Sequence, residues 1–226
     1  MKNILCFGDS NTYGLKPDGT GRYDFAVRYP GRLQVILGDE YHVIEEGCPG
    51  RTTIFDDKKR PYKKGLDYIT PCLLSHNPIS YVIVMLGTND CKSAFRATGK
   101  EIASGLSEII KRIRNATTDA TGILIISPIH LGENIWKPGF DFEFDQESAA
   151  VSKALATEYR KLAKETDCDF LDASAFVSPS PIDEEHLDEI GHNKLARAVA
   201  EILERDCFLE REAEESRLGA IEYRRN

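Results

Sequence analysis

The residues best suited to chemistry in this chain are a serine near its start and a histidine near its end. Ser10 lies in the segment Gly8–Asn11, and His186 follows Asp183 by three residues. A serine hydroxyl becomes a useful nucleophile when a base takes its proton, and an imidazole can do so near neutral pH. An aspartate three residues earlier can turn back to the other ring nitrogen and stabilise the imidazolium. We therefore predict that Ser10, His186 and Asp183 are the nucleophile, base and acid of an acyl-transfer reaction.

Acyl transfer also needs hydrogen-bond donors aimed at the oxyanion of the tetrahedral intermediate. We predict that the backbone N–H of Ser10, the N–H of Gly50 and the side-chain amide of Asn89 form this oxyanion hole. Glycine lets the backbone approach a ligand closely, and the asparagine amide donates without titrating. Taken singly, Gly50 could be a turn glycine and Asn89 a helix cap. Their occurrence together with the serine and the histidine favours the catalytic interpretation.

Other histidines and the cysteines offer alternatives to this assignment. His192 follows Asp188 by four residues, a spacing that on a helix suits a surface ion pair as well as a catalytic dyad. We expect the remaining histidines to be structural or exposed; they are His42, His76 and His130. The six cysteines are scattered and form no CxxC pair, so we expect reduced thiols. No cluster of metal ligands is evident, and we predict a reaction without metal or cofactor.

The elements that must position these residues are short apolar runs alternating with segments of helical periodicity. We predict strands at Asn3–Phe7, Tyr41–Glu45, Tyr81–Leu86, Ile123–Ser127 and Asp169–Asp172. We predict helices at Arg28–Leu37, Leu66–Ser75, Lys100–Asn115, Gln146–Thr166 and about Glu189–Arg205. Such alternation predicts a parallel sheet with right-handed crossovers. The fold class is therefore a three-layer α/β/α with a five-stranded parallel sheet in the flavodoxin-like order 2-1-3-4-5.

This fold would bring the chemical residues together. Ligands of such sheets bind beyond the carboxyl ends of the strands, where the first and third strands diverge. Ser10, Gly50, Asn89 and His186 follow the first, second, third and fifth predicted strands, respectively. All four are thus expected at one crevice.

Composition narrows the possible partners. Of the 226 residues, 41% are hydrophobic and 29% are charged, as in a globular protein, and the formal net charge of −8 argues against nucleic acid and anionic membranes. The apolar run Ile4–Phe7 is shorter than the core of a signal peptide, about 7–15 residues, so we expect a cytoplasmic protein. After Cys207 the sequence becomes rich in charge. We interpret 207–226 as a charged C-terminal extension, either helix or tail, after a domain at 1–206.

Four blocks of the sequence resemble the SGNH hydrolases, also called GDSL-type esterases or lipases. The blocks are Gly8-Asp9-Ser10-Asn11, Gly50, Gly87-Thr88-Asn89-Asp90 and Asp183-x-x-His186, and they span the chain to about Arg205. The resemblance implies that the family's invariant Ser, Gly, Asn and His fall on Ser10, Gly50, Asn89 and His186, with Asp183 as the triad acid. It also implies the SGNH hydrolase fold for the domain at 1–206.

One branch of the family is more similar still. The stretches Val43–Gly47, Gly50–Thr53 and Met85–Asp90 are similar to arylesterases with acyltransfer and perhydrolysis activity. This resemblance implies an esterase of short acyl esters that forms a homo-oligomer and also has acyltransferase activity. Asn11 stands where the family usually has leucine, so the neighbouring pocket is expected to be more polar and less suited to aryl alcohols.

Substrate contacts and the entrance to the site are predicted from the polar and aromatic residues nearby. We predict substrate-binding roles for Asn11, Tyr13, Arg51, Trp136 and Phe140. The loop at 130–144 is expected to cover the crevice, to contact a second subunit, or to do both. Its large apolar residues are Ile135, Trp136, Phe140, Phe142 and Phe144.

Three alternative functions stay open at this point. A carbohydrate O-acetyl esterase would use the same machinery, with Asn11, Arg51 and Lys16 as polar contacts. A flavin-binding protein could have the same strand order, but Asp9 would repel the cofactor's phosphate. A scaffold protein would need none of the predicted catalytic residues. The small-ester hydrolase accounts for most of the motifs.

Overall fold

Five parallel strands form the centre of the protein. The computed structural model describes residues 1–205, and the strand order is β2-β1-β3-β4-β5. The strands are β1 (Lys2–Gly8), β2 (Tyr41–Gly47), β3 (Tyr81–Met85), β4 (Gly122–Ser127) and β5 (Asp169–Asp172). The predicted sheet and its order are confirmed, with small shifts at the strand ends.

Helices connect and cover the strands. They are α1 (Ser10–Tyr13), α2 (Tyr29–Leu37), α3 (Gly65–His76), α4 (Gly99–Ala116), α5 (Gln146–Glu165) and α6 at 189–205. All except α1 agree with the predicted helices. A single turn such as α1 carries too few residues to show helical periodicity, so its sequence did not predict it. The charged extension predicted at 207–226 lies outside the described residues.

The two faces of the sheet bury separate apolar clusters because successive side chains of a strand point in opposite directions. Leu5 and Phe7 belong to one cluster, whereas Ile4 and Cys6 belong to the other. Helices α3, α4 and α5 cover the first cluster, to which they contribute Ile69, Leu73, Ile102, Leu106, Leu155 and Tyr159. Helices α2 and α6 cover the second, with Leu33, Leu195 and Val199. The protein therefore has the predicted three layers.

The register of the central strands aligns their carboxyl ends. Gly8, the last residue of β1, pairs with Gly47 of β2 and with Met85 of β3. The segments that follow these three strands therefore leave the sheet at the same edge, next to one another. This edge receives the residues predicted to do chemistry.

Two further features concern the cysteines and membranes. The described cysteines carry free thiols: Cys6, Cys48, Cys72, Cys91 and Cys168. Cys207 lies outside the described residues. Across residues 1–205, no helix combines the length and the apolar character needed to cross a membrane.

Candidate active site

Ser10 begins the short helix α1 directly after β1. Asp9 caps this helix, and its Oδ1 accepts the backbone N–H of Asn11 at 3.0 Å. The N–H of Ser10 has no partner within the helix because it belongs to the first helical residue. Both Asp9 and Ser10 are buried. Burial raises the pKa of Asp9 to about 6, although the Asn11 N–H and His186 partly offset this effect.

Asp183 contacts His186 and orients its imidazole. Nδ1 of His186 lies 2.6 Å from Oδ2 of Asp183. Oδ1 of the same carboxylate accepts the backbone N–H groups of Glu185 at 3.1 Å and His186 at 3.0 Å. Nε2 of His186 is buried and has no hydrogen-bond partner among the described residues. The ring thus presents an unoccupied nitrogen that can take a proton.

The pKa of His186 reflects opposing influences. Burial by itself would lower the pKa of this imidazole, because the charged form loses hydration. The hydrogen bond that Nδ1 donates to Asp183 and the negative charges of Glu185, Asp183 and Asp9 outweigh burial, so the pKa is raised overall. The surrounding carboxylates therefore stabilise the imidazolium that forms when Ser10 loses its proton.

Asn11 joins the serine helix to the histidine segment. Its Nδ2 donates to the backbone carbonyl of Glu185 at 3.3 Å, and its Oδ1 accepts the backbone N–H of Leu187 at 2.9 Å. The side chain is buried, and both ends of its amide are engaged on either side of His186. This geometry gives Asn11 a role in joining the two segments, and its predicted substrate-binding role stays a prediction.

Asn89 and Gly50 are two of the three predicted oxyanion donors. The side chain of Asn89 is buried, and its Nδ2 has no hydrogen-bond partner among the described residues. Gly50 has a φ of +81°, a left-handed conformation that favours glycine. A buried donor without a partner is rare, and such a group requires an explanation. An oxyanion that forms only during the reaction provides one for Asn89.

Asp90 fixes the segment of Asn89 against the segment of Gly50. Its Oδ1 accepts the backbone N–H of Thr53 at 2.9 Å and also the Thr53 hydroxyl. Burial raises the pKa of Asp90 to about 7, and the bonds from Thr53 offset part of the rise. No role for the Asp90 side chain was predicted from the sequence. Its position directly after Asn89 was the available signal, but its partner lies 37 residues away.

Gly87 lets helix α5 support the end of β3. The hydroxyl of Tyr159 donates to the carbonyl of Leu86 at 2.9 Å. Gly87 has a φ of +126°, and a Cβ there would lie 2.5 Å from the Tyr159 hydroxyl oxygen. Any side chain at this position would push α5 away from the strand that carries Asn89.

Arg51 holds strand ends together. Its Nη1 donates to the carbonyl of Gly8 at 3.0 Å and to that of Glu46. The guanidinium carbon lies 4.2 Å from the ring centroid of Phe7 and 5.3 Å from that of Tyr68. Arg51 is buried and joins β1 to β2, and its predicted substrate-binding role stays a prediction.

The other predicted substrate contacts lie in partly open positions. The Tyr13 ring lies 4.3 Å from the guanidinium carbon of Arg22. The Trp136 indole donates to the carbonyl of Glu133 at 3.0 Å, and this residue is 42% exposed. Phe140 packs partly buried against the apolar cluster under α3, α4 and α5. Substrate-binding roles for Tyr13, Trp136 and Phe140 stay predictions.

His192, the alternative base, is built into the core. Its Nδ1 accepts the backbone N–H of Tyr29 at 3.2 Å, and the Tyr23 ring packs edge-on against its imidazole. Burial lowers the pKa of His192 to about 3, so the ring is neutral at physiological pH. Nε2 of His192 is also buried and unpaired, but Nδ1 faces a backbone N–H rather than a carboxylate, and the lowered pKa makes this ring the weaker base, which favours His186.

A cavity of about 390 Å³ opens beside the segment that follows Asn89. Its lining residues are Asp56, Asp57, Lys58, Lys59, Lys92, Ser93, Ala94, Phe95, Phe142 and Glu143. Glu143 anchors the loop at 130–144, here called the aromatic loop, through ion pairs with Lys92 at 2.8 Å, Lys59 at 3.3 Å, and Arg60. Although burial opposes ionisation, these cations lower the pKa of Glu143 to about 2. Ionic contacts as well as aromatic packing therefore shape this region.

One group of possible metal ligands exists in the described part of the chain, and it was not predicted from the sequence. Glu46, Cys72 and His76 place one ligand atom each within 4.8 Å of one another. Nε2 of His76 already lies 3.1 Å from Oε1 of Glu46. Burial and the nearby Glu46 raise the pKa of Cys72 to about 12, which keeps the thiol protonated and a poor ligand at neutral pH.

Comparisons with known proteins agree with this geometry. Residues 6–194 match the GDSL-like lipase/acylhydrolase family. The chain is 26% identical over 217 residues to an acetylxylan esterase from Xylanibacter ruminicola, covering 87% of this chain and 42% of that protein. It therefore spans less than half the length of this curated relative.

Two solved structures are more similar in sequence. An aryl esterase from M. smegmatis is 36% identical with a TM-score of 0.83, and the match covers 91% of this chain and 99% of that one. A carbohydrate acetylesterase family member from Sinorhizobium meliloti is 34% identical with a TM-score of 0.84, covering 90% and 97%. Both matches cover about nine tenths of this chain.

Proposed function

Because the chain belongs to the GDSL-like lipase/acylhydrolase family and is a carboxylic ester hydrolase, we propose that it cleaves short-chain acyl esters through an acyl-enzyme on Ser10. The observation that carries this proposal is the geometry of His186. Asp183 occupies its Nδ1, whereas its buried Nε2 has no partner among the described residues. This is the arrangement that a general base for a serine requires.

The reaction proceeds in two similar halves. The Ser10 hydroxyl oxygen attacks the ester carbonyl carbon while its proton moves to Nε2 of His186. The N–H groups of Ser10 and Gly50 and the amide of Asn89 stabilise the oxyanion. The imidazolium then gives its proton to the leaving alcohol as the carbon–oxygen bond breaks. A water molecule, activated by His186 in turn, releases the carboxylic acid and restores Ser10.

The alcohol component has two supported candidates. Aryl acetates are favoured by the likeness to the aryl esterase, and acetylated carbohydrates by the acetylxylan esterase and the carbohydrate acetylesterase family member. The same acyl-enzyme would transfer its acyl group to an alcohol that replaces water, which would make the protein an acyltransferase as well.

Covalent labelling tests the proposal directly. The protein should react with a fluorophosphonate probe, and peptide mapping should place the adduct on Ser10. In parallel, 4-nitrophenyl esters of increasing acyl length should show fastest turnover with acetate, and treatment with a chelator should leave the rate unchanged. An adduct on another serine, or activity lost to the chelator and restored by zinc, would rule out the proposed mechanism.

A further inference from the structure

Glu185 is a buried carboxylate next to the reacting nitrogen of His186. Its side chain is only 10% exposed, and its Oε1 lies 3.9 Å from Nε2 of His186. This separation is too long for a hydrogen bond. The carboxylate forms no hydrogen bond with any residue in the described range 1–205. Glu185 thus carries an unused acceptor beside the atom that handles the substrate's proton.

Each neighbouring acidic group accepts at least one hydrogen bond from the protein. Both oxygens of Asp183 are used by the Glu185–His186 segment, and Oδ1 of Asp9 accepts the N–H of Asn11, whereas Oδ2 of Asp9 has no partner among the described residues. Glu184 accepts the backbone and side-chain N–H groups of Asn134. Glu185 differs from these residues. Asn11 holds its backbone carbonyl by a hydrogen bond, whereas no hydrogen bond holds its carboxylate.

Two cations lower the pKa of Glu185 without offsetting burial. The larger influence is His186 in its protonated form, at 3.9 Å, and the smaller is Lys92, whose ammonium is paired with Glu143 at 2.8 Å. Burial is the main influence and raises the pKa of Glu185 to about 7, with Asp141 and Asp183 adding to the rise. A buried carboxyl without a partner is costly, and such groups in native proteins commonly mark a function. Charged or neutral, it can accept a hydrogen bond from a hydroxyl.

We propose that Glu185 is a specificity-determining residue that accepts a hydrogen bond from a free hydroxyl next to the scissile ester, so that partially acetylated polyols such as sugars are preferred. This inference rests on the proposed function, because the leaving oxygen must approach Nε2 of His186 to receive its proton. A hydroxyl on the adjacent carbon would then lie within reach of the Glu185 carboxylate. An aryl alcohol without such a hydroxyl would leave the carboxylate unpaired and gain nothing from it.

A matched pair of substrates tests this recognition. The first is a methyl xyloside with one acetyl group and free hydroxyls, and the second is the same monoacetate with those hydroxyls methylated. The wild-type protein should favour the first in kcat/KM by roughly 10–100-fold, because its buried acceptor pairs only with that substrate. The Glu185→Leu variant should reduce this ratio to about one, and any loss of rate from weaker stabilisation of the imidazolium should affect both substrates equally and cancel in the ratio. The Glu185→Gln variant keeps an acceptor oxygen and should give an intermediate ratio.

Controls separate recognition from other effects. Glu189→Gln removes an exposed carboxylate three residues after His186 and should leave the ratio at the wild-type value. If both Glu185 variants slow the two xylosides equally and leave their ratio at the wild-type value, Glu185 acts only on the imidazolium or on the attacking water, and the inference is wrong. A wild-type ratio near one would also overturn it. Hydrolysis of 4-nitrophenyl acetate that depends on Ser10 would uphold the esterase function in either case, whereas failure of the wild-type protein to cleave any ester would overturn both.

Discussion

Ser10 and His186 are expected to act as one unit, since a single proton passes between them. Ser10→Ala and His186→Ala should each remove nearly all esterase activity, and the double variant should be little worse than either single variant. Thermal unfolding monitored by circular dichroism should confirm that the variants fold. If His192→Ala proved equally damaging to kcat at unchanged stability, the base assignment would be wrong.

Asn89 should stabilise the transition state more than the bound substrate. Its Nδ2 is buried and unpaired, so it gains a partner when negative charge develops on the carbonyl oxygen. Asn89→Ala is expected to lower kcat by roughly 10²–10³-fold with little change in KM. Steady-state kinetics with 4-nitrophenyl acetate measure both constants. An increase in KM at constant kcat would indicate a substrate-binding residue instead.

Asp183 should determine the pH below which the enzyme loses activity. Catalysis needs neutral His186, so kcat/KM falls as the pH drops through the pKa of this imidazole, which is raised above the ordinary value of 6.5. Asp183→Asn removes a carboxylate that raises this pKa, and the acid limb of the profile should move to lower pH. The maximal rate should fall by roughly 10³–10⁴-fold. An acid limb at the same pH in both proteins would show that another group controls it.

At the level of elements, one buried side chain connects the helix of the nucleophile with the segment of the base. Asn11→Ala would leave the Glu185 carbonyl and the Leu187 N–H without their present partner, at a cost of about 1–3 kcal/mol per group. Loss of this connection should also let His186 shift relative to Ser10. We expect kcat per active site to fall by roughly 10–100-fold, because small misplacements of catalytic groups are costly.

A matched variant distinguishes this positioning from general stability. Asn193 also accepts a side-chain hydrogen bond between two helices, from Arg32 at 3.2 Å, but outside the active site. Asn193→Ala should lower the melting temperature without lowering kcat per active site, which titration with the fluorophosphonate probe normalises. Equal behaviour of the two variants would mean that Asn11 only stabilises the fold.

At the level of the whole molecule, exposed aromatic residues suggest self-association. Ile135 and Phe144 of the aromatic loop are buried, but Phe142 is 84% exposed and Trp136 is 42% exposed in the single chain. Exposed apolar groups that lie close together commonly mark an interface or a ligand groove. We therefore propose that copies of the chain associate through this loop and thereby narrow the acyl channel.

Light scattering coupled to size exclusion measures this association. The wild-type protein should form a homo-oligomer that prefers acetyl over long-chain esters. Trp136→Ala should weaken assembly or extend the range of acyl chains that are cleaved. Val35→Ser alters an exposed apolar residue on α2 and serves as the control. A monomeric wild-type protein that turns over long-chain esters undiminished would contradict this picture.

Much of the architecture could be predicted because its causes are local. Alternating short apolar runs and helical periodicity specify strands and helices, and the crossover rule then limits the order of a five-stranded parallel sheet. The family followed from four short blocks that lie at strand ends, and it is confirmed by the match over residues 6–194. The one-turn helix α1 escaped prediction, since the cap by Asp9 shows in geometry rather than in periodicity.

The sequence alone determined the fold class, the family and the residues whose chemistry suits ester cleavage. Only the tertiary structure decided which polar residues at the strand ends serve the protein and which face the reaction. Asn11 and Arg51 were predicted to touch substrate, yet both are committed to the backbone; Glu185 had no predicted role, yet its carboxylate is unpaired beside His186. The physical reason is that hydrogen-bond partners can lie far along the chain, 176 residues away for Asn11 and Leu187. Burial and pairing of this kind arise only when distant segments meet at the edge of the sheet.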